Sequence, residues 1–244
     1  MNWPELSIKS LNFLYYAMLV GAIYSHLVNG KAPLNGFASA VFLFVAGGLV
    51  LLASAPQDRM RLCLAALLGF IAEVIGVQYG WLFGSYYYTE ILAPNLFGVP
   101  LAMGCAWLIL VGYIQNMLAS HKLSKITSII FLSGWMTVID LLIDPLAAHE
   151  FGYWTWLEQG SYYGIPFRNF MGWFIVSGLI AMTDILIFPR SFLLRRTIQN
   201  LGLGVIVLYT VCAFGYHLWV VAIVGIGLIS LHGVLILRKN IKKT

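Results

Sequence analysis

The chain has 244 residues, of which 61% are apolar and only 9% are charged. A soluble domain carries about 25% charged residues, so the composition excludes that class. The formal net charge is +5, but the basic residues are spread over several segments, which argues against a nucleic-acid-binding surface.

Apolar segments recur along the whole chain. A helix needs about 20 mostly apolar residues to cross a bilayer. Eight segments meet this length, with the last two divided at Phe214-Gly215-Tyr216. The sequence therefore predicts an all-α, polytopic integral membrane protein, folded as one helix bundle over residues 1–244. The predicted spans cover residues 10–28, 34–54, 61–79, 99–118, 126–144, 170–188, 199–215 and 218–237.

Basic residues are distributed unequally between the two sets of connecting segments. Positive residues accumulate on the cytoplasmic side of membrane proteins. With the N-terminus inside, the outer loops hold only Lys31 and Arg168. A chain of seven spans would place the basic C-terminal tail outside, against this rule. We therefore expect a multi-pass protein of the cell membrane, in contact with lipid, with both termini in the cytoplasm. The inner basic residues are Lys9, Arg59, Arg61, Lys122, Lys125, Arg190, Arg195, Arg196, Arg238, Lys239, Lys242 and Lys243.

Two long aromatic-rich segments, 73–107 and 140–173, include the loops on the predicted outer, non-cytoplasmic side. Each contains a Phe-Gly followed by aromatic residues, a Gly-Ser-Tyr-Tyr, and a Gly-(Val/Ile)-Pro with Trp seven residues after the Pro. This spacing favours a parallel repeat of residues 61–118 and 126–188, with both loops folded onto the bundle as a lid. The alternative is that Gly, Pro and aromatic residues are simply common at span ends.

Three carboxylic acids fall inside predicted spans. Glu73 lies about six residues from the outer end of its span, roughly 9 Å deep at a rise of about 1.5 Å per residue. Asp140 and Asp144 are four residues apart, which places them on one face of a helix. Asp184 is predicted to lie apart from them, near the inner end of its span. Because ionisable groups are costly in lipid, all three outer acids are candidate catalytic residues.

A carboxyl group in an apolar pocket holds its proton more tightly, because desolvation disfavours the anion. Two neighbouring carboxyls can then share a proton and serve as acid and base, an arrangement suited to adding or removing water. The structural alternative is that the acids pair with Arg168, with loop hydroxyl groups or with helix ends. Asp144 precedes Pro145 and could simply end its helix.

Aromatic rings are dense in both loops. Enrichment of Trp and Tyr at the membrane interface accounts for part of this density. Ring faces also attract cations, by about 0.5–2 kcal/mol each, so a pocket of rings beside one acid suits a carbocation intermediate. The candidate substrate-binding rings are Tyr79, Trp81, Tyr86, Tyr88, Trp107, Trp154, Trp156, Tyr162, Tyr163 and Trp173.

Other chemistries are weakened by what the sequence lacks. No lysine lies inside a span, as retinal binding would need, and the histidines are scattered without metal-ligand spacing. No glycine-rich phosphate or dinucleotide loop is found. The pair Asp140 and Asp144 resembles half of a magnesium–diphosphate motif, but no second acidic motif is evident. We therefore expect neither a metal nor a cofactor.

The chain resembles the carotenoid biosynthesis hydratase family, the integral membrane carotenoid 1,2-hydratases of the γ-carotene 1′-hydroxylase and bisanhydrobacterioruberin hydratase types. The resemblance covers residues 60–175. It rests on Glu73-x-x-Gly76, Phe83-Gly84-x-Tyr86-x-Tyr88, Gly98-Val99-Pro100, Asp140-x-x-x-Asp144-Pro145, Trp154-x-Trp156 and Tyr162-Tyr163-Gly164-Ile165-Pro166-x-x-Asn169-Phe170-x-Gly172-Trp173.

This resemblance implies a cofactor-independent hydro-lyase that adds water to the terminal double bond of an acyclic ψ-end carotenoid, such as lycopene or γ-carotene. We expect Glu73 or Asp140 to protonate the alkene and Asp144 to deprotonate the attacking water. Tyr163 and Asn169 would position that water. The alternatives are a non-enzymatic carotenoid or polyisoprenoid binder and, with less support, a Mg²⁺-dependent prenyltransferase. The sequence does not specify the oligomeric state.

Overall fold

The computed structural model describes residues 3–29, 37–119, 121, 123–188 and 192–241, and shows a bundle of helices. The fold class predicted from hydropathy is confirmed. Eight α-helices occupy the described part of the chain: α1 Trp3–Asn29, α2 Phe37–Ala53, α3 Pro56–Tyr79, α4 Ala102–Leu118, α5 Lys125–Pro145, α6 Phe167–Ile187, α7 Arg196–Gly215 and α8 Trp219–Ile241.

Every predicted span corresponds to one of these helices. Six of the helices in the described chain are long and apolar enough to cross a membrane. The other two, α2 and α4, have 17 residues each, about 25 Å at a rise of about 1.5 Å per residue. The predicted start of the fourth span at residue 99 is wrong. Val99 and Pro100 form a short strand, and α4 begins at Ala102.

Local sequence explains where the helices that carry the candidate acids begin and end. Pro56 occupies the first turn of α3, where a missing N–H costs nothing, and Gly80 ends the helix with a φ of 65°. The Ser124 side chain caps α5 by accepting a hydrogen bond from the Thr127 N–H. A single π-helical turn, Leu146–Glu150, follows α5 and leads into the second loop.

The helices pack as neighbouring pairs. α5 lies along α6, α3 and α2 lie along α4, and α7 lies along α8 and α4. Loop 1 (residues 80–101) joins α3 to α4, and loop 2 (residues 146–166) joins α5 to α6. Both loops cover the same end of the bundle, called here the loop end. This arrangement places the two aromatic-rich segments together, as a lid would require.

Four short strands lie in the loops: β1 Tyr86–Tyr88, β2 Asn95–Leu96, β3 Val99–Pro100 and β4 Trp154–Trp156. β2 and β3 form a small hairpin within loop 1. β1 pairs antiparallel with β4, so that Tyr86 faces Trp156 and Tyr88 faces Trp154. This β1–β4 pair, called here the ribbon, joins the two loops into one unit.

The opposite end of the bundle carries a buried ion cluster. The Arg61 guanidinium contacts Asp184 at 2.6 and 2.8 Å and Asp58 at 3.2 Å, and lies over the rings of Phe188 and Phe192. Arg61 is therefore a structural ion-pair residue as well as one of the basic residues used to predict orientation. Lys31, Lys122, Arg190, Lys242 and Lys243, and the side chains of Arg238 and Lys239, lie outside the described part of the structure.

Candidate active site

Glu73 is buried in α3 below the ribbon and accepts three hydrogen bonds. The hydroxyls of Tyr86 and Tyr88 donate to Oε2 at 2.5 and 2.9 Å, and the Trp107 indole N–H donates to Oε1 at 3.1 Å. Tyr86 and Tyr88 alternate along β1, so both side chains point to the same face. Burial raises the pKa of both tyrosines well above the usual value, so their hydroxyls stay protonated and act as donors.

Two glycines on α3 make room for the donors of Glu73. Gly69 and Gly76 lie four residues before and three residues after Glu73, on the same helix face. A Cβ at Gly69 would overlap the Trp107 ring, and one at Gly76 would lie 2.8 Å from Phe83 and 3.0 Å from the Tyr86 hydroxyl oxygen. The two glycines therefore leave space on the helix surface beside Glu73 for the aromatic rings that donate to it.

Asp140 and Asp144 are buried on one face of α5, as their spacing predicts. The Asn169 side-chain amide, at the start of α6, donates to Asp140 Oδ2 at 2.6 Å and to Asp144 Oδ2 at 2.7 Å. The indoles of Trp154 and Trp156 donate to Asp144 Oδ1 at 2.7 and 3.2 Å. Asp144 thus accepts three hydrogen bonds, whereas Asp140 accepts one from the described residues.

The two halves of the site resemble one another. In each, two alternate residues of a ribbon strand donate to a carboxyl group of the preceding helix. The rings of Trp107 and Trp173, which match in the predicted repeat, stack with centroids 4.6 Å apart and planes 11° apart. Gly98 and Gly164 match as well, with φ angles of 80° and 74°. The parallel repeat stays a prediction, which these matched positions support.

The electrostatic surroundings of the cluster formed by Glu73, Asp140 and Asp144 are anionic. Glu73 is near enough to interact electrostatically with both aspartates. Within the described residues, none of the three acids belongs to an ion pair. Arg168, one structural partner considered from the sequence, instead donates to the Gly80 carbonyl oxygen and lies 3.9 Å from Glu158. Because unscreened like charges repel strongly in a buried site, the cluster must hold at least one proton.

An apolar cavity of about 330 Å³ lies beside the cluster, among α1, α2, α4, α7 and loop 2. Its wall includes the rings of Trp154, which donates to Asp144, and of Trp173, which stacks on the Glu73 donor Trp107; the three acids themselves do not line it. Met18, Phe42, Leu110 and Leu208 are typical of the remaining lining. A few polar side chains also face the cavity: Ser25, His26, Ser39, Tyr153 and Tyr209.

Most of the predicted site residues come together. Four do not join the cluster. Tyr79 and Trp81 are exposed and contact one another, with centroids 5.6 Å apart. The Tyr162 hydroxyl donates to the Leu141 carbonyl oxygen, and the Tyr163 carbonyl oxygen bonds to a ring nitrogen of His149. The residues that meet at the cluster or its wall are Glu73, Asp140, Asp144, Tyr86, Tyr88, Trp107, Trp154, Trp156, Asn169 and Trp173.

The sequence did not single out the polar residues of the cavity. His26 is one of the scattered histidines that lack metal-ligand spacing. An ionisable residue within a span is nevertheless by itself a signal of function. Ser39 and Tyr153 are joined by a hydrogen bond of 2.9 Å that no sequence pattern foretells. In the described part of the chain, no three acidic, histidine or cysteine side chains are placed so that they could bind one metal ion together.

Comparison with known proteins identifies a family and a relative. The model of a family described as carotenoid biosynthesis protein matches residues 36–237. Bisanhydrobacterioruberin hydratase of Haloarcula japonica is 32% identical to the chain over 145 residues, which are 57% of this chain and 49% of that protein. The chain therefore spans about half the length of the curated relative it matches. No solved structure matches the chain.

Proposed function

Because the chain belongs to the carotenoid biosynthesis protein family, we propose that it adds water across the terminal double bond of an acyclic ψ-end carotenoid. The product is a tertiary 1-hydroxy end group. The observation that carries the proposal is a cluster of three buried carboxyl groups, walled by indole rings, beside an apolar cavity. The name of the similar protein, a hydratase, supports the same reaction class.

The number of hydrogen-bond donors at each carboxyl assigns the proton. Donors stabilise a carboxylate, and Glu73 and Asp144 each accept three hydrogen bonds, whereas Asp140 accepts one. The proton of the cluster therefore resides mainly on Asp140, and the Asn169 amide holds Asp140 and Asp144 together as a pair. Glu73 remains the anion that disfavours loss of this proton to solvent.

The reaction begins when the aspartate pair donates its proton to the CH carbon of the terminal alkene. The π electrons form the new C–H bond and leave a tertiary cation on the neighbouring carbon. Trp154 must move from its bond with Asp144 for the alkene to reach the pair, because its indole forms the wall between them. The ring faces of Trp154 and Trp173 then stabilise the cation by about 0.5–2 kcal/mol each.

Water completes the addition. Its oxygen forms a bond to the cationic carbon, its extra proton leaves to a base, and a proton returns to the aspartate pair. The sum is one alkene and one water converted to one tertiary alcohol, with no oxidant or reductant consumed. The source of the new oxygen is therefore water.

The dimensions of the cavity suit one end of the substrate. A volume of about 330 Å³ is near the lower limit for pockets that hold small molecules, about 300–1,000 Å³. A carotenoid of 40 carbons is too large for it, so the rest of the polyene lies between helices or in lipid. With both termini in the cytoplasm, the loop end and its cluster lie in the outer half of the cell membrane.

The apolar cavity also suits a carotenoid carrier that performs no chemistry. Expression in cells that accumulate lycopene or γ-carotene, grown in ¹⁸O-labelled water, separates the two functions. A hydratase yields pigment heavier by one labelled water, whereas a carrier yields only bound, unchanged pigment. Chelation of Mg²⁺ leaves the yield unchanged for a hydratase and abolishes turnover by a prenyltransferase.

Two amide variants test the site itself. Glu73→Gln and Asp140→Asn keep side-chain shape but remove the ionisable groups. We expect Asp140→Asn to lose at least about 10²-fold in hydration, the lower end of the range for general acid–base catalysis. Glu73→Gln should also lose hydration, because the aspartate pair then holds its proton less tightly. Each should remain in the membrane and keep its bound carotenoid. Full hydration by both variants would contradict the proposed site.

A further inference from the structure

His26 lies in α1 near the loop end and faces the cavity that also touches Trp154 and Trp173. It is buried, and its ring stacks on Phe151 with centroids 4.3 Å apart and planes 27° apart. Its Nδ1 lies 2.9 Å from the Tyr216 hydroxyl oxygen. The ring is thus held from its face by Phe151 and from one edge by Tyr216.

The hydrogen bond to Tyr216 occupies Nδ1 and leaves Nε2 as the ring nitrogen that can bind water. A neutral imidazole has one N–H donor and one nitrogen with a lone pair. When Nδ1 donates to the Tyr216 oxygen, Nε2 keeps its lone pair. Among the described residues, Tyr216 is the hydrogen-bond partner of this ring.

Hydration needs a proton acceptor where the water enters. The carboxyl cluster lies behind the indole wall and approaches the alkene from that side. The other ionisable side chains that the structure places around the cavity are Tyr153 and Tyr209. Neutral tyrosine is a very weak base, whereas imidazole accepts protons near neutral pH. The Tyr153 hydroxyl moreover donates to Ser39.

We propose that His26 is the base of the hydration reaction. Its Nε2 binds the attacking water and takes the proton that this water loses as the C–O bond forms. Tyr216 acts as a positioning residue, because its hydroxyl oxygen accepts the hydrogen bond from Nδ1–H while the lone pair lies on Nε2. The resulting imidazolium returns its proton through water, while the aspartate pair is reprotonated. This inference rests on the proposed hydratase function and adds a residue of α1 to a site otherwise built from α3, α4, α5, α6 and the loops.

Deuterium exchange separates protonation of the alkene from capture of the cation. In D₂O, the aspartate pair delivers a deuteron to the terminal CH carbon. If no water is captured, the cation loses a proton from the same carbon and returns to alkene that now carries deuterium. The ratio of hydrated product to deuterated alkene therefore measures the base alone. Membranes containing the full chain are incubated with lycopene in D₂O, and the pigments are weighed by mass spectrometry.

The test variant is His26→Gln, which keeps a polar group beside Tyr216 but removes the base. We expect hydration to fall about 10²-fold or more while exchange into the alkene persists. Tyr216→Phe, which keeps the ring and removes the hydroxyl, should lower the same ratio by a smaller factor, about tenfold. Asp140→Asn should instead lose hydration and exchange together, because no cation forms.

A matched control lies elsewhere in the chain. His232 is also buried, with its Nδ1 2.8 Å from the Tyr113 hydroxyl oxygen, but it does not line the cavity. His232→Gln should leave the ratio of hydration to exchange unchanged. The proposal is overturned if His26→Gln keeps the wild-type ratio while folded, or if Tyr216→Phe does so when His26→Gln fails to fold. Absence of both hydration and exchange in the wild type would refute the hydratase function, and this role with it.

Discussion

Replacing Asn169 by leucine is a direct test of the aspartate pair, because one amide nitrogen donates to both aspartates. Leucine has a similar shape and donates nothing. If Asp144 is ionised and Asp140 protonated, the variant loses one hydrogen bond to a charged acceptor, worth about 1.5–3 kcal/mol, and one to a neutral acceptor, worth about 0.5–1.5 kcal/mol. The expected loss is therefore about 2–4.5 kcal/mol, a large part of a typical total of about 5–15 kcal/mol.

The assay has two readouts. The free energy of unfolding is measured by titration with sodium dodecyl sulfate in mixed micelles, followed by tryptophan fluorescence. Hydration is measured per folded molecule in ¹⁸O-labelled water and should fall at least tenfold, because the amide no longer holds the two aspartates in place.

Asn116→Leu is the control for stability. This buried asparagine donates to the Leu193 carbonyl oxygen at 3.3 Å and accepts from the Arg195 N–H at 3.2 Å, away from the carboxyl cluster. Both bonds are to neutral groups, so we expect a loss of about 1–3 kcal/mol with unchanged hydration per folded molecule. Hydration by Asn169→Leu at more than half the wild-type level, or a free energy of unfolding within about 0.5 kcal/mol of wild type, would contradict the role of Asn169 in the aspartate pair.

Two further predictions concern packing and the buried ion cluster. Gly172→Ala places a Cβ 2.5 Å from the Leu82 carbonyl oxygen, so it should lower the free energy of unfolding by about 1–3 kcal/mol. Gly134→Ala, where a Cβ would have nothing within 4 Å, should not destabilise the protein. Equal unfolding curves for the two variants would contradict this packing. Arg61→Met should cost about 3–5 kcal/mol by leaving two acids unpaired, and adding Asp184→Asn should recover part of the loss in the same titration. No recovery in the double variant would show that the ion pair is not the cause.

The helices were predictable because the bilayer imposes one simple rule. A segment that crosses lipid must be apolar and must satisfy its backbone internally, so hydropathy located the helices, and the distribution of basic residues favoured eight of them over seven. The error at the start of α4 has a local cause. Val99 and Pro100 are apolar, but they belong to a hairpin whose partner strand lies only a few residues earlier in loop 1. Hydropathy does not distinguish a short apolar strand from the first turn of a helix.

The candidate acids were predictable for the same energetic reason, but their partners were not. The spacing of Asp140 and Asp144 placed both on one face of α5. That Asn169 bridges them depends on the angle at which α6 packs on α5, which no local pattern encodes. Likewise, Trp154 reaches Asp144 only because the ribbon aligns the two loops. Contacts between distant segments arise from the whole fold.

The roles of lone charged and polar residues were the hardest to predict. Arg61 is one of the inner basic residues that predict the orientation of the chain, yet it lies buried between two acids. His26 has no histidine neighbour in the sequence, so it matches no metal-ligand spacing. Its position beside the cavity follows from the packing of α1 near loop 2, which brings Phe151 onto its ring.

The ribbon has a consequence for how this architecture can vary among relatives. Each strand supplies donors to the carboxyl group of its own half while its backbone is held by the strand of the other half. A loop taken from a homologue and grafted alone would therefore meet a mismatched pairing strand and misplace donors in both halves. Exchanging loop 1 and loop 2 together preserves the register of the β1–β4 pair. The two loops should therefore evolve, and be engineered, as one unit, although α4 and α5 separate them in the chain.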